Sequence, residues 1–300
     1  LRHAGAATLG IIEGIAETTA SLRKDAMGRW ADRLGRRKGL ALLGYGLSVA
    51  VRPLIGLASS AFHVVALRFA DRVGKGVRTA PRDALVADVV RPQDRARAYG
   101  LHRAMDHAGA ILGALLAMAL LQWGGLSLRT VFLLSIIPGI LAFVVLAAAV
   151  REPPRGSRIG EAPEPPKGPT PADAGPRLSL LADRRFAGYM LAVLLFTLGN
   201  SADVFLILRA LELGIPVALG PALWVLLHLA RSAWAVPGGM LADRYGRPPL
   251  ILAGWLVYAA AYAGFAAATN AWMMWPLFLL YGLHAGLTEG AERALVADMM

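Results

Sequence analysis

Apolar residues in this chain run in long stretches, without the short alternation of half-buried strands. Between basic or turn-rich breaks there are nine such stretches, near residues 8–28, 39–58, 63–86, 99–121, 130–150, 186–211, 217–239, 249–268 and 273–296. Each is close to the ~20 residues that a helix needs to cross a ~30 Å hydrocarbon layer. The pattern predicts an all-α membrane protein with nine transmembrane helices. Between the fifth and sixth stretches lies REPPRGSRIGEAPEPPKGPTPADAGPR, too rich in proline and polar residues to bury a core. We read it as a flexible linker (151–185) joining an N-terminal helical bundle (1–150) to a C-terminal one (186–300).

The breaks alternate in charge. Those at 29–38, 87–98, 151–185 and 240–248 are rich in Arg and Lys, while the breaks between them hold only Arg129 as a basic residue. Basic loops stay on the cytoplasmic side of a membrane, so the linker is expected in the cytoplasm and the chain in the plasma membrane as a multi-pass protein. Composition agrees: 56% of residues are hydrophobic and 17% charged, with a mean hydropathy of +0.52. The net charge of +11 sits in the breaks without a nucleic-acid-reading motif, so no nucleic-acid partner is expected. The partners implied are the lipid bilayer and a small-molecule solute, with the chain a monomer. The absence of cysteine excludes disulfides, thiolate metal sites and cysteine nucleophiles. Trp123, Trp272 and Trp275 fall near predicted outer ends, where indole rings favour the interface.

The two sides of the linker match. MGRWADRLGRRKG around Asp32 returns as GGMLADRYGRPPL around Asp243, 211 positions on, and DALVAD ending at Asp88 returns as RALVAD ending at Asp298, 210 positions on. Two matches at nearly one offset imply a duplicated unit. In the second half 59 residues separate Arg184 from Asp243, whereas 31 precede Asp32; after Asp88 two further spans follow, whereas after Asp298 two residues remain. The repeat therefore predicts a parent of twelve spans, of which the first and the last two are missing here.

GRWADRLGRRKG resembles the loop signature after the second helix of the major facilitator superfamily, carried here by Gly28, Asp32, Arg33, Gly35, Arg36 and Arg37. Its repeat is matched by Gly239, Asp243, Arg244, Gly246 and Arg247. Arg68 in LRFADRVGKG is similar to the arginine of that family's fourth helix, with Gly74 and Gly76 following. AGAILGALLA resembles the antiporter glycine signature at Gly109 and Gly113, with Ala114 where the family has proline. The resemblance implies two six-helix bundles that rock between inward-open and outward-open states, with the present spans as helices 2 to 10. In that setting the loop signature reads as a gate, in which glycine permits a tight turn, Asp32 can cap a helix end and the arginines can pair with acids of the opposite bundle.

Several charges fall inside the spans, where a central charge facing lipid costs about 2.5–3.5 kcal/mol. Glu13, Glu17, Lys24 and Asp25 lie in the first span present, and Arg68, Asp71, Arg72, Lys75, Arg78, Arg82 and Asp83 in the third. They must face protein or water. Asp71 and Lys75 have the spacing of a same-face helical pair, as do Glu13 and Glu17, which can supply countercharge. The repeat pairs Glu17 with His228 at one pseudo-equivalent depth. Glu17, Glu13, His228 and Asp71 are therefore the candidates for proton coupling. Arg68, Lys75, Asn200, Asp203 and Glu289 are the candidates for the solute cavity, since the resemblance places the fourth, seventh and tenth helices around it. His102, Arg103, Asp106 and His107 read as an ion cluster rather than a metal site.

No phosphate-cradling GxxxxGK[ST], hydrolase GxSxG or zinc HExxH is present. No enzymatic activity, cofactor or metal is expected, and the energy source implied is a proton gradient. The expected function is secondary active transport, as proton-coupled efflux; the alternatives are a proton-coupled uptake symporter and a transport-inactive receptor or scaffold of the same fold.

Overall fold

The computed structural model describes residues 37–150, 184–199, 203–216 and 219–299. Among these residues there are helices and no strands. Eight of the nine expected spans fall here, and each is helical; the first, near 8–28, lies outside the described residues, as does most of the linker. The helices are α1 (Arg37–Leu54), α2 (Ala61–Val89), α3 (Arg95–Gln122), α4 (Leu128–Leu134), α5 (Ile136–Ala149), α6 (Arg184–Gly199), α7 (Asp203–Glu212), α8 (Gly220–Tyr245), α9 (Arg247–Ala267) and α10 (Met274–Met299).

Their ends follow from local chemistry. The Ser60 and Ser127 hydroxyls accept from the amides of His63 and Thr130, capping α2 and α4. Gly246, at φ +94°, takes the positive-φ conformation that ends α8 and lets α9 begin one residue later. One expected span consists of two helices. The stretch 130–150 breaks at Ser135, whose hydroxyl donates to the Phe132 carbonyl at 2.6 Å, three residues before Pro138, which has no amide to continue the ladder. The stretch 186–211 is described as α6 and α7, on either side of residues 200–202.

The chain forms two compact units, one comprising Leu1–Arg91 with His102–Arg158, the other Pro92–Leu101 with Ile159–Met300. The division falls inside α3, so its first two turns count with the second unit. In the first unit α1 and α2 cross at Gly44 and Gly74, where an added Cβ would lie 2.6 Å from the Gly74 carbonyl oxygen or 2.9 Å from that of Gly44. Only a hydrogen fits. α5 buries none of its side chains fully and leaves Ile137, Leu141, Val144 and Val145 exposed. In the second unit Leu206 of α7, Leu223 and Leu227 of α8, Phe265 of α9 and Phe278 of α10 form the centre of the core.

Four helical segments among the described residues, Arg37–Leu57, Pro92–Gln122, Leu128–Ala149 and Arg247–Ala267, are long and apolar enough to cross a membrane, and Ala187–Gly199 is a shorter apolar helix. Large apolar side chains on their outer faces match a lipid solvent.

Candidate functional site

The loop signature is described in its second copy. Asp243 lies in the last turn of α8, within the basic break, and its carboxylate accepts from the amides of Ala96 at 3.1 Å and Arg97 at 2.8 Å. These amides are in the first turn of α3, where donors lack a partner within their own helix and the dipole favours an anion. Asp243 thus caps a helix remote in sequence. Gly239, one turn earlier, makes the approach possible, since a Cβ there would lie 2.4 Å from the Ala96 carbonyl oxygen. Burial pushes the Asp243 carboxyl above the usual carboxylate range, against the pull of the two amides and of Arg247.

Arg247, the first residue of α9, donates to the Pro92 carbonyl at 2.6 Å, lies 3.9 Å from Asp243 and is ion-paired with Asp298. Arg95 reaches the same Asp298 at 3.0 Å. Arg244 is exposed beside the ring of Tyr245. Gly28, Asp32, Arg33, Gly35 and Arg36 of the first copy lie outside the described residues; its Arg37 is ion-paired with Asp88. The two ion pairs, Arg37 with Asp88 and Arg247 with Asp298, are 210 positions apart at both partners. The contacts thus repeat at the offset of the DALVAD and RALVAD match, whereas the loop signature, at 211, sets Arg36 against Arg247.

Inside the spans of the second unit, Asp203 at the start of α7 accepts a hydrogen bond from the Tyr281 hydroxyl of α10 at 2.6 Å and pairs with Arg231 of α8 at 3.0 Å. The Arg231 guanidinium lies 5.3 Å from the Tyr281 ring centre, and its Nε is buried without a hydrogen-bond acceptor among the described residues. Next to this group His284 of α10 is buried, its Nδ1 2.9 Å from the Gly254 carbonyl oxygen, with the rings of Phe196, Tyr258 and Tyr281 around it. His228, also buried, packs edge-on against Trp224. Glu289 is one of the groups acting on His284 through charge. Glu292 accepts from Trp255 at 3.3 Å. Asn200, Glu13 and Glu17 lie outside the described residues.

In the first unit Asp71 accepts from Arg52 of α1 at 2.9 Å, a partner on a neighbouring helix that same-helix spacing does not reveal. Arg78 donates to Ser48 at 2.7 Å and lies 4.4 Å from the Tyr45 ring centre. Asp106 stands near Arg103 at 3.3 Å, Arg82 at 3.9 Å and His102 at 3.9 Å, so this patch of α3 is an ion cluster. Arg68 and Lys75 are exposed. Arg231, Tyr281 and His284 escaped the sequence reading. A lone cation amid the apolar residues of α8, facing an acid in a neighbouring span, was the available signal for Arg231.

A sequence model of the Major Facilitator Superfamily matches residues 3–300. The chain is 29% identical over 301 residues to an uncharacterized MFS-type transporter of Methanocaldococcus jannaschii, covering 98% of this chain and 72% of that one. Among solved structures, the human organic anion transporter MFSD10 matches with a TM-score of 0.73 at 17% identity, over 97% of this chain and 70% of that one. The proton:xylose symporter XylE matches with a TM-score of 0.63 at 15% identity, over 97% and 72%.

Proposed function

The chain belongs to the major facilitator superfamily, and from that premise we propose that this transmembrane transporter couples the movement of a small solute to protons by alternating access, in the direction of efflux. Two bundles, 1–150 and 186–300, rock about a central site, in the plasma membrane and with the linker in the cytoplasm. The alternation of basic breaks supports that placement. Gly109 and Gly113, with their resemblance to the antiporter signature, support efflux.

The observation that carries the coupling is Asp203 held between Arg231 and Tyr281 within spanning helices. A proton taken up by Asp203 removes its negative charge, so Arg231 loses its counter-ion and must find another. Loss of the proton restores the pair. A group of this kind can link proton occupancy to the arrangement of α7, α8 and α10. The gate is the Asp243 carboxylate on the first turn of α3, held by hydrogen bonds that a rocking motion can break and re-form.

The test is flux in proteoliposomes of known orientation under an imposed pH gradient. Exchange of solute against protons supports efflux; accumulation in the direction of proton flow replaces it with uptake symport. Asp203→Asn is expected to abolish the response to the gradient while keeping solute counterflow. Glu17→Gln tests the first half in the same way. Wild-type flux indifferent to pH on both sides ends the proposal of proton coupling.

A further inference from the structure

The ionic content of the spans differs between the two halves. In the second half, Arg209, Arg231 and Arg293 are matched in number by Asp203, Glu289 and Glu292, so the spans sum to zero. In the first half, the spans from 39 to 150 hold Arg52, Arg68, Arg72, Lys75, Arg78, Arg82 and Arg103 against Asp71, Asp83 and Asp106. The span near 8–28 adds Arg23 and Lys24 against Glu13, Glu17 and Asp25, which leaves an excess of three positive charges.

Five of these cations share one helix. At 100° per residue Arg68, Arg72, Lys75, Arg78 and Arg82 fall within an arc of about 120° on α2. Lys75 is the middle residue of Ala61–Val89, at the depth where a charge is most costly in lipid. The architecture itself does not require the stripe. The register of 210 positions, fixed by Arg37–Asp88 and Arg247–Asp298, places Phe278, Gly282, Ala285, Thr288 and Glu292 at the corresponding positions of α10. The sister helix packs with no cation at any of them. Topogenic signalling does not require it either, since Arg68, Arg72 and Lys75 lie well inside the span and away from the basic breaks.

We propose that this stripe, centred on Lys75, is the anion-binding element of the transporter, and that its solute is a small anion bearing carboxylate or phosphate groups. The proposal rests on the transport reading above and names the substrate class. Arg78 is held by Ser48 and Tyr45, and Arg82 lies 3.4 Å from Asp83 and 3.9 Å from Asp106, so the C-terminal part of the stripe is held in place. The exposed Arg68 and Lys75 offer the accessible charge. A guanidinium and an ammonium on one face suit a forked oxyanion and a point charge, respectively.

The test is binding to the whole chain in a neutral detergent at constant ionic strength, read as thermal stabilisation. The probes are inorganic phosphate, succinate and glycerol 3-phosphate, against glucose and choline, with phosphatidylglycerol as a separate arm. Stabilisation by at least one of the soluble anions, weakened about tenfold or more in Lys75→Gln and Arg68→Gln and restored towards wild type in Lys75→Arg, is the expected result. Unchanged size-exclusion profiles show that the variants fold. Stabilisation by glucose or choline alone, by the lipid alone, or by anions equally in wild type and Lys75→Gln overturns the proposal, as does no response to any soluble anion. Proton-driven flux of a neutral solute would uphold the transport reading while overturning this one.

Discussion

At single positions the fold is decided by what a side chain would strike. Gly74→Val pushes a branched side chain towards the Gly44 carbonyl and is expected to cost about 1–3 kcal/mol by overpacking, measured as a lower midpoint of unfolding in detergent. Gly109→Ala, where an added Cβ meets nothing within 4 Å, is the control and should stay within about 0.5 kcal/mol. Asp243 makes a prediction of pH dependence. Its carboxyl is raised by burial, so the packed state holds a proton more tightly than a solvated carboxyl does. The sign follows: between the ordinary carboxylate value and its own higher one the folded state binds more protons, and stability falls as pH rises through that window. Thermal unfolding from about pH 4 to 7 should show this decline in the wild type and lose it in Asp243→Asn. From sequence a capping role was legible for Asp32, which lies outside the described residues; the cap described is made by its repeat counterpart Asp243. The Asp203 partners were not legible, because residues 28 and 78 positions away meet only after the helices pack.

Between elements, the two halves repeat a contact while changing its surroundings. Arg37–Asp88 and Arg247–Asp298 tie the start of one helix to the end of another in each unit. Arg37→Asp or Asp88→Arg alone should destabilise by about 1–3 kcal/mol, with the exchanged pair recovering part of the loss, as read by a double-mutant cycle on thermal unfolding. Away from this pair the crossings differ. Arg52 with Asp71 joins α1 to α2, whereas the corresponding Tyr262 and Tyr281 of α9 and α10 meet ring to ring at 5.9 Å. At the close contact of Gly44 with Gly74, the second unit has Gly254 and His284, with the imidazole bonded to the Gly254 carbonyl. Four spans were legible from apolar length alone, and the others from apolar runs set between basic or turn-rich breaks. The break at Ser135 was not, since one serine near one proline leaves hydropathy unchanged and acts only through the backbone hydrogen bonds.

For the whole molecule, the lack of cysteine makes topology directly measurable. Single Ser59→Cys and Arg244→Cys variants, both at exposed positions, should react oppositely with a membrane-impermeant maleimide in intact cells. Ser59→Cys is expected to label at once, and Arg244→Cys only after permeabilisation. Equal labelling would overturn the assignment of sides. Family and fold class were readable from motif, repeat and span order, and the balance of charge between halves from the sequence too, while the residues of α9 and α10 that correspond to those of α1 and α2 were fixed by the contact register. That register has an evolutionary consequence. Since the clasp joining helix ends is the same in both copies and the interior between clasps is not, the recognition proposed for α2 can change by substitution while the clasps stay as they are.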